Sequence, residues 1–555
     1  MHSTLTGIGV SAGTATGPLV RLSAAPGPLA NEATDDVRAA SVRIREALTQ
    51  VAAGLAARAA IADEHARPIL EASVMMTEDP GLAAAIDAHL ESKGPTNAVA
   101  AAVEDYCALL ESMGGYMAER VTDLRDVGAR TIARLLGLPE PGVPDLHEPS
   151  VLTAVDLAPA ETATLDRAMV LGIVIEEGGP TSHTAILAAQ LGIPAVVRAV
   201  GISEVDAATL VALDGGTGEV FVDPDEAKLS ELTARRERRE AALRGSGPGL
   251  TADGRPVALL ANIGTVADAE SAASADVEGV GLFRTEFMFL GREVAPCLAE
   301  QTEAYTAVLR AFGTRRVVVR TLDAGADKPL AFADLGPEEN PALGQRGIRL
   351  NRVREDLLDD QLAALAAADA ATEAELWVMA PMISTVAETR WFVERARAAG
   401  LRQVGVMIEV PAAALRAADI LGVADFASLG TNDLGQYTMA ADRTQGALAD
   451  LLDPWQPALL DVIAAACEGG AATGKKVGVC GEAGGDPALA LVLVGFGVTS
   501  LSMAPGKVAA VRTALAAHSL AECQRLADIA REATSPEEAR QAVLAAANPV
   551  LGDLV

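Results

Sequence analysis

Eight short apolar segments, separated by stretches with helical spacing, occupy the last half of this 555-residue chain. They begin at Val257 and read "VALLAN", "GVGLFRTE", "RRVVVRTLD", "LWVMAPM", "VGVMIEV", "FASLGTND", "KVGVCGE" and "TSLSMAP". Buried strands that alternate with helices eight times within about 250 residues are typical of a (β/α)8 barrel of the TIM type. An open doubly wound sheet would be expected to carry a glycine-rich phosphate fingerprint after its first strand, and none follows "VALLAN". The sequence therefore predicts a closed parallel barrel.

The chain before the barrel changes its periodicity twice. A glycine-rich strand segment gives way to long runs with apolar residues at i, i+3, i+4 and i+7. A proline-rich break then leads to the strand candidates "SVLTAV", "VLGIVIE", "PAVVRAV" and "TLVALD", with a hairpin turn in "DGGTGEVFVD". We predict a multidomain α/β protein whose parts are a strand segment (1–30), a helical bundle (31–142), an α/β domain (143–225), a linker helix (226–250) and the barrel (251–555).

Charge and composition exclude several classes of protein. The formal net charge of −31 opposes nucleic-acid binding and favours a basic protein partner, although acidity also serves solubility alone. The five cysteines have no CxxC spacing, which is typical of reduced thiols in a cytoplasmic protein. The longest apolar run falls short of the roughly 20 residues of a membrane span, and the N-terminus does not resemble a secretory signal. We therefore expect no membrane insertion.

Polar residues stand where several predicted strands end, which is the face that carries the active site in such barrels. They are Asn262, Arg284, Arg320, Asp323, Glu409, Asn432, Asp433, Cys480 and Glu482. Any one of them alone could be a loop-facing ion pair. Because polar groups beside buried strands cost desolvation free energy, the whole set is better explained by a functional site.

Two of these carboxylates predict a metal site. We expect Glu409 and Asp433 to end neighbouring strands five and six, where their like charges would require a cation, and oxygen ligands suit Mg²⁺. Arginine side chains bind phosphate and carboxylate groups in a bidentate way, so a small anion is the expected ligand. The cations expected around the carboxylate pair are Arg284, Arg320, Lys328 and Arg443. Cys480 lies in the same region, as a catalytic group or as a small apolar filler.

His183 follows the loop "GGPTS" at the predicted start of a helix. Exposed N–H groups and the helix dipole favour an anion there and disfavour imidazolium. A neutral imidazole in that position is suited to accept a phosphoryl group. The alternative is a surface histidine beside a helix cap formed by Ser182 or Thr181.

Seven motifs in order resemble enzyme I of the bacterial sugar phosphotransferase system, the phosphoenolpyruvate-protein phosphotransferase family. They are "GGPTSHTAILAAQLGIPAVV", "GVGLFRTEFMFL", "VVVRTLDAGADKPL", "NPALGQRGIRL", "VGVMIEVPAA", "SLGTNDLGQYTMAADR" and "VGVCGEAGGDP". The similarity runs from "GIGVSAG" to near the C-terminus and includes "DLRDVGAR".

The resemblance implies that His183 takes the phosphoryl group of phosphoenolpyruvate and passes it to a histidine of the carrier protein HPr. It implies that Cys480 protonates the enolate to give pyruvate, and that Glu409 and Asp433 hold Mg²⁺. The α/β domain would swivel between the helical bundle, which docks HPr, and the barrel, which forms a homodimer. The residues expected to bind the substrate are Arg284, Arg320, Lys328, Asn432, Asp433 and Arg443.

The sequence departs from the family pattern at two positions. Pro180 replaces an arginine that many members carry in the phosphohistidine loop, which puts one phosphate contact in question. Gln345 replaces an aromatic residue beside Arg346, so the role of Arg346 is left open.

Three other readings compete with this one. Pyruvate phosphate dikinase and phosphoenolpyruvate synthase resemble the chain in the histidine segment and the barrel, but they need an ATP-binding domain of several hundred residues. A Mg²⁺-dependent lyase or aldolase barrel would leave His183 without a role. A catalytically silent regulatory relative that only binds partners is opposed by the complete set of site residues.

Overall fold

The computed structural model describes residues 3–22, 25–34, 36–61, 67–113, 120–144, 146–154, 165, 168–179, 184–185, 188, 191–325, 330–333, 335–336, 338–443 and 445–554. Pro180, His183 and Lys328 lie outside these described residues. The chain divides into two compact units, Met1–Arg236 and Glu237–Val555, which are described one at a time.

The first unit contains an eight-stranded sheet with the order β1-β8-β7-β3-β4-β5-β6-β2. Its strands are β1 (Ser3–Thr6), β2 (Ile8–Ser11), β3 (Thr14–Arg21), β4 (Ser150–Ala154), β5 (Val170–Ile175), β6 (Ala195–Val197), β7 (Leu210–Asp214) and β8 (Glu219–Val222). Strands β3, β4, β5 and β6 are consecutive in this order, and each runs parallel to its neighbour. The predicted hairpin is confirmed, because β7 and β8 pair antiparallel and the Asp214 carboxylate accepts the N–H groups of Gly216 and Thr217 in the turn.

Helices occupy the chain between β3 and β4, as the periodicity predicts. They are Val37–Ile61, Arg67–Thr77, Pro80–Leu90, Pro95–Met113 and Val121–Leu136. Local signals set some of their ends: Asp79 caps the third helix through the N–H groups of Gly81 and Leu82, and Gly137 ends the fifth with a φ of 67°. Apolar residues from these helices form a core of their own, with Ile44, Ile86 and Val99 among its buried members.

The second unit is a closed barrel of eight parallel strands in the order β10 to β16 and then β9, which confirms the predicted barrel. Its strands are β9 (Ala258–Ile263), β10 (Gly279–Arg284), β11 (Arg316–Arg320), β12 (Glu375–Ala380), β13 (Gln403–Ile408), β14 (Phe426–Leu429), β15 (Lys476–Val479) and β16 (Ser500–Met503). Each strand overlaps one of the eight apolar segments and extends at most one residue beyond it. Because the strands are parallel, all their carboxyl ends meet at one rim.

Helices surround the barrel and continue beyond its last strand. They are Val266–Ser274, Leu298–Phe312, Ile348–Val353, Glu355–Ala370, Val386–Ala398, Pro411–Leu415, Ala417–Leu421, Thr431–Met439, Pro457–Thr473, Pro487–Phe496, Val508–Ala516, Leu520–Glu532, Pro536–Ala546 and Val550–Leu554. A further helix, Glu226–Ala242, covers the first two thirds of the predicted linker and contains the boundary between the two units.

One expectation about the rim is wrong in detail. Asn432 and Asp433 do not end strand six, since β14 stops at Leu429 and both residues lie in the first turn of the helix Thr431–Met439. A helix can begin so soon because Gly430 turns the chain directly after the strand. Glu409 does follow its strand immediately.

Candidate active site

A cavity of about 300 Å³ opens among the carboxyl ends of the barrel strands. This volume suits a small ligand. The residues that line it are Leu282, Arg284, Glu286, Phe287, Leu290, Arg320, Asp323, Met407, Glu409, Gly430, Asn432, Asp433, Arg443, Cys480 and Gly481. The sequence predicts nine residues for catalysis, substrate binding or metal binding. Seven of them line this cavity, namely Arg284, Arg320, Glu409, Asn432, Asp433, Arg443 and Cys480. The other two, His183 and Lys328, lie outside the described residues.

Among the cations that line this cavity, Arg320 is the most buried, with 6% of its surface exposed. Its Nη2 lies 2.6 Å from Oε1 of Glu286, and its Nη1 lies 3.0 Å from Oδ2 of Asp323. Burial lowers the pKa of Arg320, but Asp323, Glu286 and Glu409 outweigh burial and raise that pKa above its usual range. Its buried Nε–H has no hydrogen-bond partner among the described residues. The guanidinium is thus a fixed cation in the wall of the cavity.

Arg346 connects two carboxylates of the cavity, Asp323 and Asp433, although it does not line the cavity itself. Its Nη2 lies 3.0 Å from Oδ2 of Asp323, and its Nη1 lies 3.3 Å from Oδ1 of Asp433. Arg443 completes the series, with Nη1 3.4 Å from Oδ2 of Asp433. Arg346 is buried, whereas 43% of the Arg443 side chain is exposed. The role of Arg346, left open by the sequence, is at least to hold both acids in place.

Glu409 is buried, with 1% of its surface exposed, and its Oε1 accepts the N–H of Met382 at 2.6 Å. Burial and the nearby carboxylates of Asp433 and Asp323 raise the pKa of Glu409 well above its usual range, although Arg320 and Arg346 oppose this shift. Such a carboxylate is stabilised either by a proton or by a cation beside it.

The donor set around Glu409 fits a hard divalent cation. Glu409 and Asp433 both line the cavity and supply oxygen atoms. Within the part of the chain that the structure describes, no group of three or more His, Cys, Asp or Glu side chains could hold a metal by itself. Mg²⁺ is commonly held by one or two carboxylates, with water and substrate phosphate in the other positions. The two carboxylates therefore fit this ion when a substrate shares its coordination.

Cys480 follows β15 directly and lines the cavity. The thiol lies 3.5 Å from the carbonyl oxygen of Leu429, to which it can donate. Burial raises the pKa of Cys480 to about 11, with a smaller opposing effect from its hydrogen bond to Ser428. The thiol is consequently protonated at neutral pH and can act as a proton donor but not as a ready nucleophile.

Other predicted rim residues divide into two groups. Arg284 and Asn432 line the cavity, and Arg284 pairs with no carboxylate among the described residues, which leaves its charge for a ligand. Asn262 and Glu482 do not line it. Asn262 instead donates to the carbonyl of Cys480 at 3.2 Å, and Glu482 is exposed beside Lys507.

Sequence reasoning missed Glu286 as a site residue. It stands two positions after Arg284, at the end of a predicted strand, so its place in the sequence carried the same signal as its neighbours. Its 3₁₀ turn, Thr285–Met288, directs the carboxylate into the cavity wall, where it contacts Arg320.

Three family models match the chain. They describe the N-terminal part of PEP-utilising enzymes (residues 6–120), the mobile domain of PEP-utilising enzymes (146–218) and their PEP-binding domain (238–520). With the closed barrel and its charged cavity, these matches define the class as a PEP-utilising enzyme. Enzymes of this class use a metal ion.

Individual relatives narrow the class. A phosphoenolpyruvate-protein phosphotransferase of Streptomyces coelicolor is 52% identical over 98% of this chain and 99% of that protein. One of Haloferax volcanii is 40% identical over 86% of each. A solution NMR structure of Enzyme I (nEIt) shares 34% identity, with a TM-score of 0.39, over 42% of this chain and 99% of that one. The chain belongs to the phosphoenolpyruvate-protein phosphotransferase family.

Among the helices of the described residues, none combines the length and the apolar composition needed to cross a bilayer.

Proposed function

We propose that this chain transfers the phosphoryl group of phosphoenolpyruvate to its own His183 and then to a histidine of the carrier protein HPr, releasing pyruvate. This is the first step of a sugar phosphotransferase system. The observation that carries the proposal is the cavity in which Arg320, with an unpaired buried N–H, lies near the carboxylate Glu409. A cavity with these cations and acids suits a substrate that is itself a trianion and brings a cation with it.

Different residues around the cavity would bind the anionic groups of the substrate and the metal ion. Arg284, Arg320 and Arg443 would bind the phosphate and carboxylate groups, assisted by Asn432 and by Lys328. Glu409 and Asp433 would hold Mg²⁺, which when bound neutralises negative charge on the substrate oxygens. The buried ion pairs of Arg320 fix its guanidinium before the substrate arrives, so little reorganisation is needed in the transition state.

In the chemical step, Nε2 of neutral His183 attacks phosphorus and the bond from phosphorus to the enol oxygen breaks. The electron pair of that bond leaves with the enolate. The Cys480 thiol then donates its proton to the methylene carbon, which gives pyruvate, and solvent later returns a proton to the thiolate. The raised pKa of Cys480 supports this order, because the proton is present at neutral pH until a strongly basic carbanion forms.

The partners proposed for the chain are phosphoenolpyruvate, HPr and a second copy of the chain. The negative net charge of −31 favours a carrier with a basic docking face. We propose that the helices between β3 and β4 dock this carrier, that the barrel forms the homodimer, and that the protein acts in the cytoplasm.

Labelling with phosphoenolpyruvate that carries radioactive phosphorus tests the proposal. With Mg²⁺ present, the protein should acquire an acid-labile, base-stable label that moves to added HPr, and His183→Ala should acquire none. Glu409→Gln should lose labelling from phosphoenolpyruvate but still accept a phosphoryl group from phosphorylated HPr, because its substitution leaves His183 intact. Full labelling of His183→Ala would refute the assignment of the acceptor.

A further inference from the structure

Gln361 is a fully buried glutamine on the helix Glu355–Ala370 and does not line the cavity. Its Oε1 accepts the N–H of Leu322 at 2.9 Å. Its Nε2 donates to Oγ1 of Thr285 at 3.2 Å and to the hydroxyl of Tyr305 at 2.9 Å. Both N–H donors and the carbonyl oxygen of this single amide are therefore in use.

These bonds reach the two chain segments that carry the charged cavity wall. Thr285 lies between Arg284 and Glu286, and Leu322 directly precedes Asp323. Thr285 also donates its hydroxyl to the backbone carbonyl of Arg320 at 2.9 Å. One side chain thus connects the turn after β10 to the segment after β11, through hydrogen bonds to residues that do not line the cavity themselves.

Tyr305 fixes the direction in which the Gln361 amide points. The Tyr305 hydroxyl donates to Oε1 of Gln301 at 3.2 Å, so it can only accept from Gln361. Burial raises the pKa of Tyr305, so the hydroxyl keeps its proton. The nitrogen of Gln361 must then face Tyr305 and Thr285, which leaves the oxygen for the backbone N–H of Leu322.

Packing alone does not require an amide at this position. The neighbours Leu358, Leu362 and Leu365 on the same helix are buried in the apolar core, and an apolar residue of similar volume would fill the same space. Burying an amide has a desolvation cost that its hydrogen bonds must offset, and its net contribution to stability is small. The amide instead holds the turn after β10 and the segment after β11 in a fixed position relative to each other.

We propose that Gln361 is a positioning residue for anion binding, acting through Thr285 and Leu322 to hold Arg284, Glu286, Arg320 and Asp323 in binding geometry. The identity of the anion rests on the function proposed above. The need for Gln361 in anion binding does not depend on that function, because any phosphate-bearing ligand of this cavity needs the same guanidinium positions.

Substitution of Gln361 by an apolar residue of similar size tests this role. In Gln361→Met, the KM for phosphoenolpyruvate and its Kd measured by calorimetry with Mg²⁺ should rise about 10- to 100-fold, the range known for the loss of a hydrogen-bond partner behind a metal ligand. Leu362→Ala is the matched control, since it opens a void in the same helix without removing a hydrogen bond. It should lower the Tm and leave KM unchanged.

The opposite result would overturn the inference: a Gln361→Met protein whose Tm falls but whose KM and Kd stay at the wild-type values. If Gln361→Met does not fold, Tyr305→Phe tests the role instead. This variant removes one hydrogen-bond partner of the Gln361 amide, and it should also raise the KM for phosphoenolpyruvate. Unchanged KM in Tyr305→Phe would then count against the role. The Kd of each protein is also measured with inorganic phosphate. If the wild-type protein does not bind phosphoenolpyruvate, the proposed function is contradicted. The comparison of phosphate binding by the wild type and by Gln361→Met then still tests the role of Gln361.

Discussion

Arg320 and Glu286 form an ion pair inside the barrel, with 2.6 Å between Nη2 and Oε1 and less than a tenth of either side chain exposed. The second carboxylate oxygen of Glu286, Oε2, has no hydrogen-bond partner among the described residues. Together with Asp323, which lies 3.0 Å from Nη1, Glu286 fixes the Arg320 guanidinium in the wall of the cavity.

Glu286→Ala should destabilise the protein by about 3–5 kcal/mol, because it leaves a buried guanidinium with Asp323 as its remaining close counter-charge. Urea unfolding of the full chain measures this loss. Glu286→Gln is the matched variant, since it keeps an oxygen acceptor for Arg320, and its loss should be smaller. Equal stability of Glu286→Ala and the wild type would contradict the interpretation of this pair.

Arg443 and Arg346 both pair with Asp433 but should respond differently to substitution by alanine. The Arg443 side chain is 43% exposed, so Arg443→Ala should change stability by less than about 1 kcal/mol while it raises the KM for phosphoenolpyruvate. Arg346 is buried between Asp323 and Asp433, so Arg346→Ala should lose both stability and activity. Thermal unfolding and steady-state labelling of both variants separate the two cases, and a marked fall in the Tm of Arg443→Ala would refute the distinction.

Gly430→Ala should weaken Mg²⁺ binding. A β-carbon at Gly430 would lie 2.8 Å from Oε2 and 3.1 Å from Cβ of Glu409, so the carboxylate would have to move. Gly435→Ala, on the helix that follows, is the matched control because its new β-carbon would meet Leu459 at an ordinary 3.5 Å. Calorimetric titration with Mg²⁺ and phosphoenolpyruvate should show a higher Kd for Gly430→Ala alone. An unchanged Kd would argue against Glu409 as a ligand.

Alkylation of Cys480 should be slow at neutral pH and should accelerate with pH. Because burial raises its pKa to about 11, the thiolate fraction is small at pH 7. In a Cys297→Ser protein, which lacks the one cysteine that is exposed, the rate with iodoacetamide should rise about tenfold per pH unit from pH 7 to 9. Mass spectrometry of the modified peptide measures this rate. A plateau within that interval would show that the thiol ionises more readily than its surroundings indicate.

The barrel could be predicted from sequence because eight fully buried strands require eight apolar segments, and local polarity marks where each one ends. Asp433 shows the limit of that pattern. In "FASLGTND" the strand and the helix follow each other across a single glycine, so the sequence does not reveal that the acid belongs to the helix.

Ion-pair and hydrogen-bond partners that are distant in sequence were harder to predict than the positions of the strands and of the polar residues that follow them. Glu286 and Arg346 are polar residues in visible motifs, but their ion pairs depend on how neighbouring strands are staggered around the barrel. Gln361 gave no signal, because in "EDLLDDQLAALAAADA" it follows two aspartates and looks like part of a solvated helix face. Its burial is a consequence of tertiary packing against Thr285 and Tyr305.

The pairing of β3 with β4 and β7 also constrains the order in which the newly made protein can fold. Strand β3 ends at Arg21, yet its antiparallel partner begins at Leu210, so at about 5–20 residues per second the ribosome needs about 10–40 s to supply it. The helices between them make mainly local contacts and can form during that interval. Pro18 lies in the middle of β3 and has no N–H that could pair with a strand of another molecule. It therefore helps to protect the unpaired β3 from aggregation during translation.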